Sequence, residues 1–425
     1  MIQTIRGFRD ILPQDTALWQ YIEKTASEIL ENFGFQEIRI PIMEKTELFA
    51  RSIGESTDIV EKEMYTFADR KGDSITLRPE ATASVVRSYV QHKMHSQDPV
   101  QKLYTIGPMF RRERPQKGRY RQFYQINAEV FGISAPHIDA QLILILNELL
   151  KRLGLSGLKA HINSLGCPEC RPHFQTTLTA FLEDKKDHLC EICIKRMERN
   201  PLRTLDCKVP SCREALEDAP STLDHLCTGC LDHFNTVKRL LDVQNVEYAV
   251  DKTLVRGLDY YSRTAFEILT DALGAQSAVA GGGRYDALVS ELHGPEIPAI
   301  GFAVGFDRLA EIVAQAGPKD APPTLSPEVF ILPLGEDALE HGYLWACELA
   351  AAGIRTEMDF SGRSLKSLMK RADRLNASHV LIIGQREMEE NSLVLRNMKT
   401  REQHPISMDN PVGRIVSIVQ KKLNQ

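Results

Sequence analysis

Apolar and polar residues recur along this chain with two periods, and each period predicts a different kind of element. Over residues 1–153, amphipathic helical stretches mix with segments in which apolar and polar residues alternate one by one. The pattern predicts a helix over Ala17–Phe33, ended by Gly34, and then a strand over Phe35–Ile42. The clearest alternation lies in residues 103–132, which predict two antiparallel strands joined by a loop.

The rest of the chain divides by the same patterns. Residues 154–250 are helical in pattern, rich in cysteine and nearly free of strand signals, whereas strand and glycine signals return over 251–315. The middle region is therefore predicted to be an insertion. A proline-rich linker over 316–327 leads to residues 328–425, which predict a compact α/β domain. Its strands are predicted at 329–335, 379–384 and 392–398.

Length and composition agree with a chain of several domains. Single cores rarely grow beyond about 250–300 residues, so 425 residues predict two or three domains. The chain is 43% hydrophobic and 26% charged. It has no apolar run of about 18 residues, so we expect a cytoplasmic protein rather than a membrane or exported one. Its net charge of -5 opposes nonspecific coating of nucleic acid but permits a local basic surface.

The hairpin of residues 103–132 carries an unusual charge, with six basic residues and one acid between Arg111 and Arg121. On its second strand the apolar positions face one way and the polar positions the other: Tyr124, Ile126, Ala128 and Val130 against Gln125, Asn127 and Glu129. Two interpretations are open. Either the loop and the polar face bind an anion beside a small polar ligand, or the hairpin lies at a sheet edge with a solvated face.

Other segments place polar groups at the ends of predicted strands. Glu80 and Thr82 are predicted to be exposed at the start of a helix, where Glu80 either stabilises the helix N-terminus or binds an ammonium group. Arg256, Arg284 and Arg308 each lie beside glycines. The three glycines before Arg284 either let another backbone or a flat ligand approach closely or form a plain turn. Arg308 is predicted to open a helix, a position suited to phosphate.

Five short segments together resemble the histidyl-tRNA synthetases, a family of class II aminoacyl-tRNA synthetases. Three are similar to the motifs that define the class: GFQEIRIP (34–41), FRRE with RYRQFYQINAEVFG (110–132) and GFAVGFDRL (301–309). LVRGLDYY (254–261) and AGGGRYD (280–286) are similar to the histidine-specific segments. The resemblance covers nearly the whole chain. It implies an α+β fold, with a class II antiparallel sheet flanked by helices, a helical insertion and a C-terminal α/β anticodon-binding domain.

The resemblance also implies roles for single residues. The implied ATP site is Arg111 at the α-phosphate, Arg308 at the γ-phosphate and one adenine face, Phe123 on the other face and Glu113 at the adenine edge. The implied histidine site is Glu80 and Thr82 at the amine, Arg256 near the carboxylate, and Gln125, Glu129, Tyr260, Tyr261 and Tyr285 around the imidazole. Glu129 is the expected specificity residue. Arg111, Arg256 and Arg308, with Mg²⁺, would offset the repulsion between the substrate carboxylate and the α-phosphate.

Two basic surfaces are candidates for contact with tRNA. The resemblance implies that the hairpin loop recognises the acceptor end, including the additional 5′ guanosine of histidine tRNAs, through Arg114, Gln116, Lys117 and Arg119. In residues 361–375, helical periodicity separates an apolar stripe from a basic one made of Arg363, Lys366, Lys370 and Arg374. Most such stripes are solvated faces, but beside a synthetase core we expect this one to contact RNA.

Eight of the nine cysteines lie between residues 167 and 230, in four close pairs. They are Cys167 and Cys170, Cys190 and Cys193, Cys207 and Cys212, and Cys227 and Cys230. This spacing is typical of structural zinc, and two Cys₄ sites are expected. One zinc, an iron–sulfur cluster, a redox pair, disulfides or unconnected cysteines are the alternatives. If the pairs combine in sequence order, the first four cysteines form one metal site and the last four form the other. Interleaved combinations are also open. Cys347, alone on a helix, is expected to serve packing.

The resemblance implies an ATP-dependent histidine–tRNA ligase whose partners are L-histidine, ATP and tRNA(His). The first class motif forms a subunit interface in this class, so a homodimer is expected. One rival is a histidine-binding regulatory paralogue of a histidine-biosynthesis enzyme, which typically lacks the anticodon-binding domain and phosphate-binding arginines. Another is a zinc-dependent RNA-binding protein with an inactive core. Arg111, Arg256, Arg308 and the complete C-terminal domain oppose both rivals.

Overall fold

The computed structural model describes residues 1–54, 57, 59–116, 118–270, 277–317 and 326–421. The chain divides into two compact units, Met1–Ala321 and Pro322–Gln425. Within the described ranges, no helix is both long enough and apolar enough to cross a membrane.

The first unit is built from strands β1–β11 and helices α1–α10. In chain order its strands are Gln36–Glu37 (β1), Met43–Lys45 (β2), Tyr65–Ala68 (β3), Ser74–Leu77 (β4), Gln101–Phe110 (β5), Gln122–Phe131 (β6), Leu158–Ser164 (β7), Tyr248–Val250 (β8), Ser262–Thr270 (β9), Ser277–Arg284 (β10) and Ala299–Gly305 (β11). Its helices are Pro13–Asn32 (α1), Thr46–Ile53 (α2), Thr82–Gln91 (α3), Pro136–Arg152 (α4), Cys170–Asp184 (α5), Glu191–Arg199 (α6), Pro210–Ala215 (α7), Thr228–Val243 (α8), Leu288–Glu291 (α9) and Phe306–Ala316 (α10).

One mainly antiparallel sheet organises this unit, with the described strands in the order β1-β5-β6-β11-β10-β9-β7-β8. The predicted hairpin is confirmed, because β5 and β6 pair in antiparallel register from Gln101–Phe131 to Phe110–Gln122. Its interpretation as a solvated edge hairpin is wrong. Strand β6 also pairs with β11, and its polar residues Asn127 and Glu129 are buried.

The predicted strand over Phe35–Ile42 is wrong in extent, since only Gln36–Glu37 is a strand, paired in parallel with β5. The neighbouring helix is confirmed, although it begins at Pro13 rather than Ala17 and ends at Asn32. Alternation predicts which residues can form a strand, but the backbone of residues 38–42 has no continuous partner in this sheet.

The cysteine-rich helices α5–α8 lie between β7 and β8, so they form an insertion in the chain of the large sheet. The bounds differ from the expected 154–250, because both flanking strands belong to the sheet. Strand β7 pairs antiparallel with β9 and parallel with β8. The inserted segment therefore starts and ends at two neighbouring strands at the edge of the sheet, and β7 lies next to β9, the strand that follows the LVRGLDYY segment.

A buried ion pair joins the sheet to the helix behind it. Arg284, at the end of β10, directs Nη2 to Oδ2 of Asp139 on α4 at 2.6 Å, and neither side chain has exposed surface. Arg284 also donates to the carbonyls of Ile133 and Ala135, and His233 from the insertion lies 2.9 Å from Asp139. Burial alone would raise the pKa of Asp139, but His233 and the Arg284 guanidinium outweigh it and hold that pKa below its usual value.

The second unit is an α/β domain whose described strands have the order β13-β12-β14-β15-β16. Its elements are Val329–Pro333 (β12), Thr356–Met358 (β13), His379–Ile383 (β14), Ser392–Asn397 (β15), Gln403–Ser407 (β16), Glu336–Ala351 (α11), Leu365–Arg374 (α12), Gln385–Glu389 (α13) and Pro411–Lys421 (α14). The three predicted strands are confirmed.

Cys347 lies on α11 as expected, but it is exposed and does not serve packing.

Arg284→Met should lower the free energy of unfolding of the first unit by about 3–5 kcal/mol, because Asp139 would stay buried without its guanidinium partner. Urea titration in a Trp345→Phe background measures this, since Trp19 is then the remaining tryptophan. The exposed pair Lys24–Glu28 supplies the control, and Lys24→Met should cost less than about 0.5 kcal/mol. Equal costs for the two variants would contradict the role of the buried pair.

Candidate active site

Two buried carboxylates lie at the centre of the large sheet. Glu129, on β6, accepts hydrogen bonds from the Tyr285 hydroxyl and from Oγ1 of Thr82 at 2.7 Å. Glu80 accepts from the backbone N–H groups of Thr82 and Ala83 at 2.7 and 2.9 Å, in the first turn of α3. The expectation that Glu80 and Thr82 are exposed is wrong, because the start of α3 is buried against the sheet. Glu80 nevertheless contacts the N-terminus of α3, as the first of its two predicted roles requires.

Aromatic hydroxyls and one glycine shape the space beside Glu129. The ring of Tyr260 lies 4.7 Å from that of Tyr261 and 5.6 Å from that of Tyr285, between ring centres. A Cβ at Gly301, on the paired strand β11, would lie 1.7 Å from Oε2 of Glu129. A side chain at position 301 would therefore displace the carboxylate, and glycine is required there by close approach.

Burial sets the protonation of this pocket. It raises the pKa of Glu129 to about 8, with the negative charge of Glu80 adding to the effect and the bonds from Tyr285 and Thr82 opposing it. Burial also raises the pKa of Glu80, although two backbone N–H groups and Arg111 lower it. The pKa values of Tyr260 and Tyr285 are raised for the same reason. Burial thus favours the neutral forms of these groups, and a pocket of buried hydrogen-bond donors and acceptors is suited to a polar ring.

Next to this pocket lies a cavity of about 550 Å³ lined by arginines. Arg111, Phe123, Gln125 and Glu113 reach it from the hairpin, and Arg308 reaches it from the start of α10. The Arg111 guanidinium lies 5.3 Å from the centre of the Phe123 ring and donates from Nε to the carbonyl of Pro79. Cations beside an aromatic face suit a nucleotide with its phosphates.

Arg256 enters the same cavity from the LVRGLDYY segment. Its guanidinium pairs with Glu267 on β9 and lies over the Tyr261 ring, 5.5 Å from its centre. A Cβ at Gly281 would lie 2.6 Å from Nη1 of Arg256, so the glycine run leaves room for this arginine to cross β10. Arg256 thus stands between the tyrosines and the arginine-lined cavity.

Comparison with known proteins assigns this arrangement to a family. A family model described as histidyl-tRNA synthetase matches residues 7–309, and one described as an anticodon binding domain matches residues 328–418. The chain belongs to the histidyl-tRNA synthetase family. It is 69% identical to the histidine–tRNA ligase of Desulforapulum autotrophicum over 99% of this chain and 98% of that one. It is 57% identical to that of Desulfatibacillum aliphaticivorans, over 99% of each chain. Among solved structures, apo histidyl-tRNA synthetase of S. aureus matches with a TM-score of 0.83 and 36% identity, over 98% of this chain and 100% of that one.

The structure brings together the residues that resemblance to this family implies for ATP and histidine. Glu80, Thr82, Glu129, Tyr260 and Tyr285 share the buried pocket, and the cavity beside it contains the ATP candidates. Arg284, also noted in the sequence beside glycines, serves instead in the ion pair with Asp139.

Several residues that line the cavity were missed by sequence reasoning. Glu267 is the partner of Arg256, and Asp307 accepts from the backbone N–H of Tyr124 and from Arg9. Arg196, Arg203 and Asp206 come from the insertion. Glu267 stands between the apolar residues Phe266 and Ile268, a signal that could have placed it on the opposite face of β9 from them. Nothing in the sequence indicated that the insertion would form a wall of it.

The candidate tRNA contacts lie on exposed surfaces. Gln116 and Arg119 form a tight turn through paired backbone hydrogen bonds. Arg119 lines the cavity, and its Nη1 lies 3.7 Å from Oε2 of Glu113. Arg114 is exposed, and Lys117 lies outside the described residues. In the second unit, Lys366, Lys370 and Arg374 are exposed on α12, and Arg363 is exposed just before it. Arg371 instead pairs with Glu357 and Asp359, which attaches α12 to the sheet.

The eight cysteines form two groups of four that could each hold a metal ion. The first is Cys167, Cys170, Cys227 and Cys230; the second is Cys190, Cys193, Cys207 and Cys212. Within each group all the Sγ atoms lie within 4.8 Å of one another. The sequential pairing considered from the sequence is therefore wrong. The groups are nested instead, because α5 and α8 bring the outermost pairs together and leave the inner pairs to form the second group.

Glu129→Gln tests the buried carboxylate through pH. Glu129 has a higher pKa in the folded protein than in the unfolded chain, so its stabilising contribution is complete below about pH 4.5 and is lost as the pH rises through about 8. Between pH 5 and 9, the free energy of unfolding of the parent should fall relative to that of Glu129→Gln by roughly 4 kcal/mol. Urea titrations across this range measure the difference. The exposed Glu28→Gln is the control, and parallel curves for Glu129→Gln and Glu28→Gln would refute the assignment.

Proposed function

We propose that this protein is a histidine–tRNA ligase, which activates L-histidine with ATP and transfers the histidyl group to the 3′ end of tRNA(His). One observation carries the proposal beyond family membership. A buried pocket of a carboxylate and phenols adjoins an arginine-lined cavity along strand β6, with Arg256 between them. The reaction needs binding positions, in this order along the site, for the polar side chain of the amino acid, for its carboxylate and for the triphosphate of ATP.

In the first step, a carboxylate oxygen of histidine attacks the α-phosphorus of ATP, and pyrophosphate leaves to give histidyl-adenylate. Both partners are anions, so the barrier contains a large repulsive contribution that positioned cations reduce. We propose that Arg111 and Arg256 contact the carboxylate and the α-phosphate, that Arg308 contacts the γ-phosphate, and that Phe123 and Glu113 bind the adenine. ATP brings Mg²⁺, which neutralises further phosphate charge.

Recognition of histidine follows from the pairing requirements of its ring. Imidazole presents two ring nitrogens, and Glu129 with the hydroxyls of Tyr260 and Tyr261 can pair with them. Glu80 and Thr82 would hold the amine, and the side-chain oxygen of Gln125 has no hydrogen-bond partner among the described residues. An analogue that leaves these buried groups unpaired loses binding by several kcal/mol, on the order of 10⁴ in rate.

For the second step, we propose that the hairpin loop meets the acceptor end of tRNA through Arg114, Gln116, Lys117 and Arg119. Arg119, in the tight turn that it forms with Gln116, lines the cavity that the 3′ hydroxyl must enter. The basic face of α12, with Arg363 before it, would contact the anticodon region. We also propose that the active form is a homodimer.

A histidine-binding regulatory paralogue is not favoured. The second unit matches the anticodon binding domain over residues 328–418, and Arg111, Arg256 and Arg308 all line the cavity. These features serve tRNA and ATP, and a protein that only senses histidine needs neither.

We propose that each cysteine group binds one structural Zn²⁺. Four thiolates at about 2.3 Å from zinc, in tetrahedral geometry, lie about 3.8 Å apart. The observed Sγ–Sγ distances fit: 3.6 Å for Cys167–Cys170, and 3.9 Å for both Cys167–Cys227 and Cys190–Cys207. Zinc would stabilise an insertion whose hydrophobic core is small.

Histidine-dependent exchange of pyrophosphate into ATP tests the first step. The parent protein should support exchange with histidine, and Arg256→Ala should lower kcat on the order of 100-fold because a cation beside the reacting groups is removed. Lys366→Ala, in the second unit, should leave exchange unchanged while it weakens charging of tRNA(His). No exchange, or better exchange with another amino acid, would overturn the proposed function.

Metal analysis of protein purified without added zinc tests the metal sites. We expect about two zinc ions per chain, and about one in a Cys193→Ser variant, because only the second group loses a ligand. A parent content well below one zinc per chain would rule out the two-site proposal.

A further inference from the structure

Residues 254–261 carry much of the proposed active site on an irregular loop. No helix or strand covers this stretch, which runs from after β8 to the start of β9. Yet Arg256, Tyr260 and Tyr261 depend on it for their positions, and an irregular loop keeps its shape only through contacts with its surroundings. For this loop, many of the contacts come from the insertion.

A short segment of the insertion, residues 194–206, holds the loop by its polar groups. Nε of Arg203 donates to Oδ1 of Asp259 at 3.1 Å, and Nη2 of the same side chain donates to the carbonyl of Gly257 at 2.9 Å. Nδ2 of Asn200 donates to Oδ1 of Asp259 at 2.8 Å. The Arg203 side chain is 12% exposed, and its bond to Asp259 is partly buried, whereas its bond to Gly257 lies at the surface. In the chain, Gly257 directly follows Arg256 and Asp259 directly precedes Tyr260.

The same segment is attached to the second cysteine group at both ends. It begins directly after Cys193 and ends directly before Cys207, and both cysteines are buried members of that group. Inside it, the end of α6 leads into a 3₁₀ helix, Pro201–Asp206, and Nη1 of Arg196 donates to the carbonyl of Arg203. Met197 and Leu205 belong to the small core of the insertion, against which Val255 of the loop packs. Residues 194–206 and the loop of residues 254–261 therefore contact each other through both polar and apolar side chains.

We infer that Arg203 is a positioning residue through which the metal site at Cys190, Cys193, Cys207 and Cys212 supports the active site. This inference rests on the proposed ligase function and on the proposed zinc. A metal bound by Cys193 and Cys207 closes the intervening segment into a short loop and so fixes Asn200 and Arg203. Arg203 in turn fixes the backbone at Gly257 and, with it, the guanidinium of Arg256. Loss of a residue that positions an active-site residue, without contacting the substrate itself, typically lowers activity by about 10–100-fold.

Arg203→Ala and Arg213→Ala form the matched pair for testing this, since both remove one arginine from the insertion and Arg213 is exposed on α7. In the full-length zinc-loaded protein, Arg203→Ala should lower kcat of histidine-dependent exchange about 10-fold or more and keep the parent zinc content. Hydrogen–deuterium exchange over residues 254–261 should become about 10-fold faster. Arg203→Lys, which can replace one of the two bonds, should lie between. Arg213→Ala should match the parent throughout.

A double-mutant cycle separates coupling from simple destabilisation. Cys207→Ser should lose about one zinc per chain and speed hydrogen exchange over 254–261 as Arg203→Ala does. Combining the two should add little, because both act through one contact. The inference would be overturned if the two substitutions multiplied each other's effect on hydrogen exchange. It would also be overturned if Arg203→Ala matched Arg213→Ala in kcat and in hydrogen exchange. Failure of the ligase function would appear separately, as absence of histidine-dependent exchange in the parent, since hydrogen exchange does not depend on activity.

Discussion

The buried ion pair between Arg284 and Asp139 connects the sheet, helix α4 and the insertion at one point. Two charges without exposed surface are stable only when each has several partners, and here Asp139 also contacts His233 while Arg284 donates to two backbone carbonyls. Tyr285 directly follows Arg284 and donates to Glu129. The interaction that holds the end of β10 therefore also positions Tyr285 in the proposed histidine pocket.

The site itself separates two electrostatic environments along one strand. Around Glu129, burial raises the pKa of the carboxylate to about 8 and favours neutral hydrogen-bonding groups. A few residues away on the same hairpin, Arg111 faces a cavity that other arginines also line. Gly301 leaves room for the carboxylate and Gly281 for Arg256, so close backbone approach is needed on both sides. A fixed arrangement of this kind can bind a polar ring and a polyphosphate at adjacent positions without large rearrangement.

The insertion is joined to this site more closely than its separate composition indicates. Its segment between Cys193 and Cys207 lines the cavity and bonds to Asp259 and Gly257. From the other cysteine group, Arg171, next to Cys170, donates to the carbonyl of Tyr261. The loop that carries Arg256 and the tyrosines is thus held from both cysteine groups. The insertion therefore contributes hydrogen bonds to the loop that carries part of the candidate site.

What the sequence determined by itself was local. Period-two alternation predicted the hairpin, apolar runs and a further strand signal predicted three of the five described strands of the second unit, and the five motifs identified the family and its candidate residues. The burial of Glu80, the shortness of the strand at Gln36–Glu37 and the use of Arg284 in an ion pair were decided by tertiary structure. So was the nesting of the cysteine groups, because Cys167 and Cys227 are 60 residues apart in sequence and only the packing of α5 and α8 brings them together. Periodicity reports which face a side chain occupies, whereas its partner depends on which distant elements pack there.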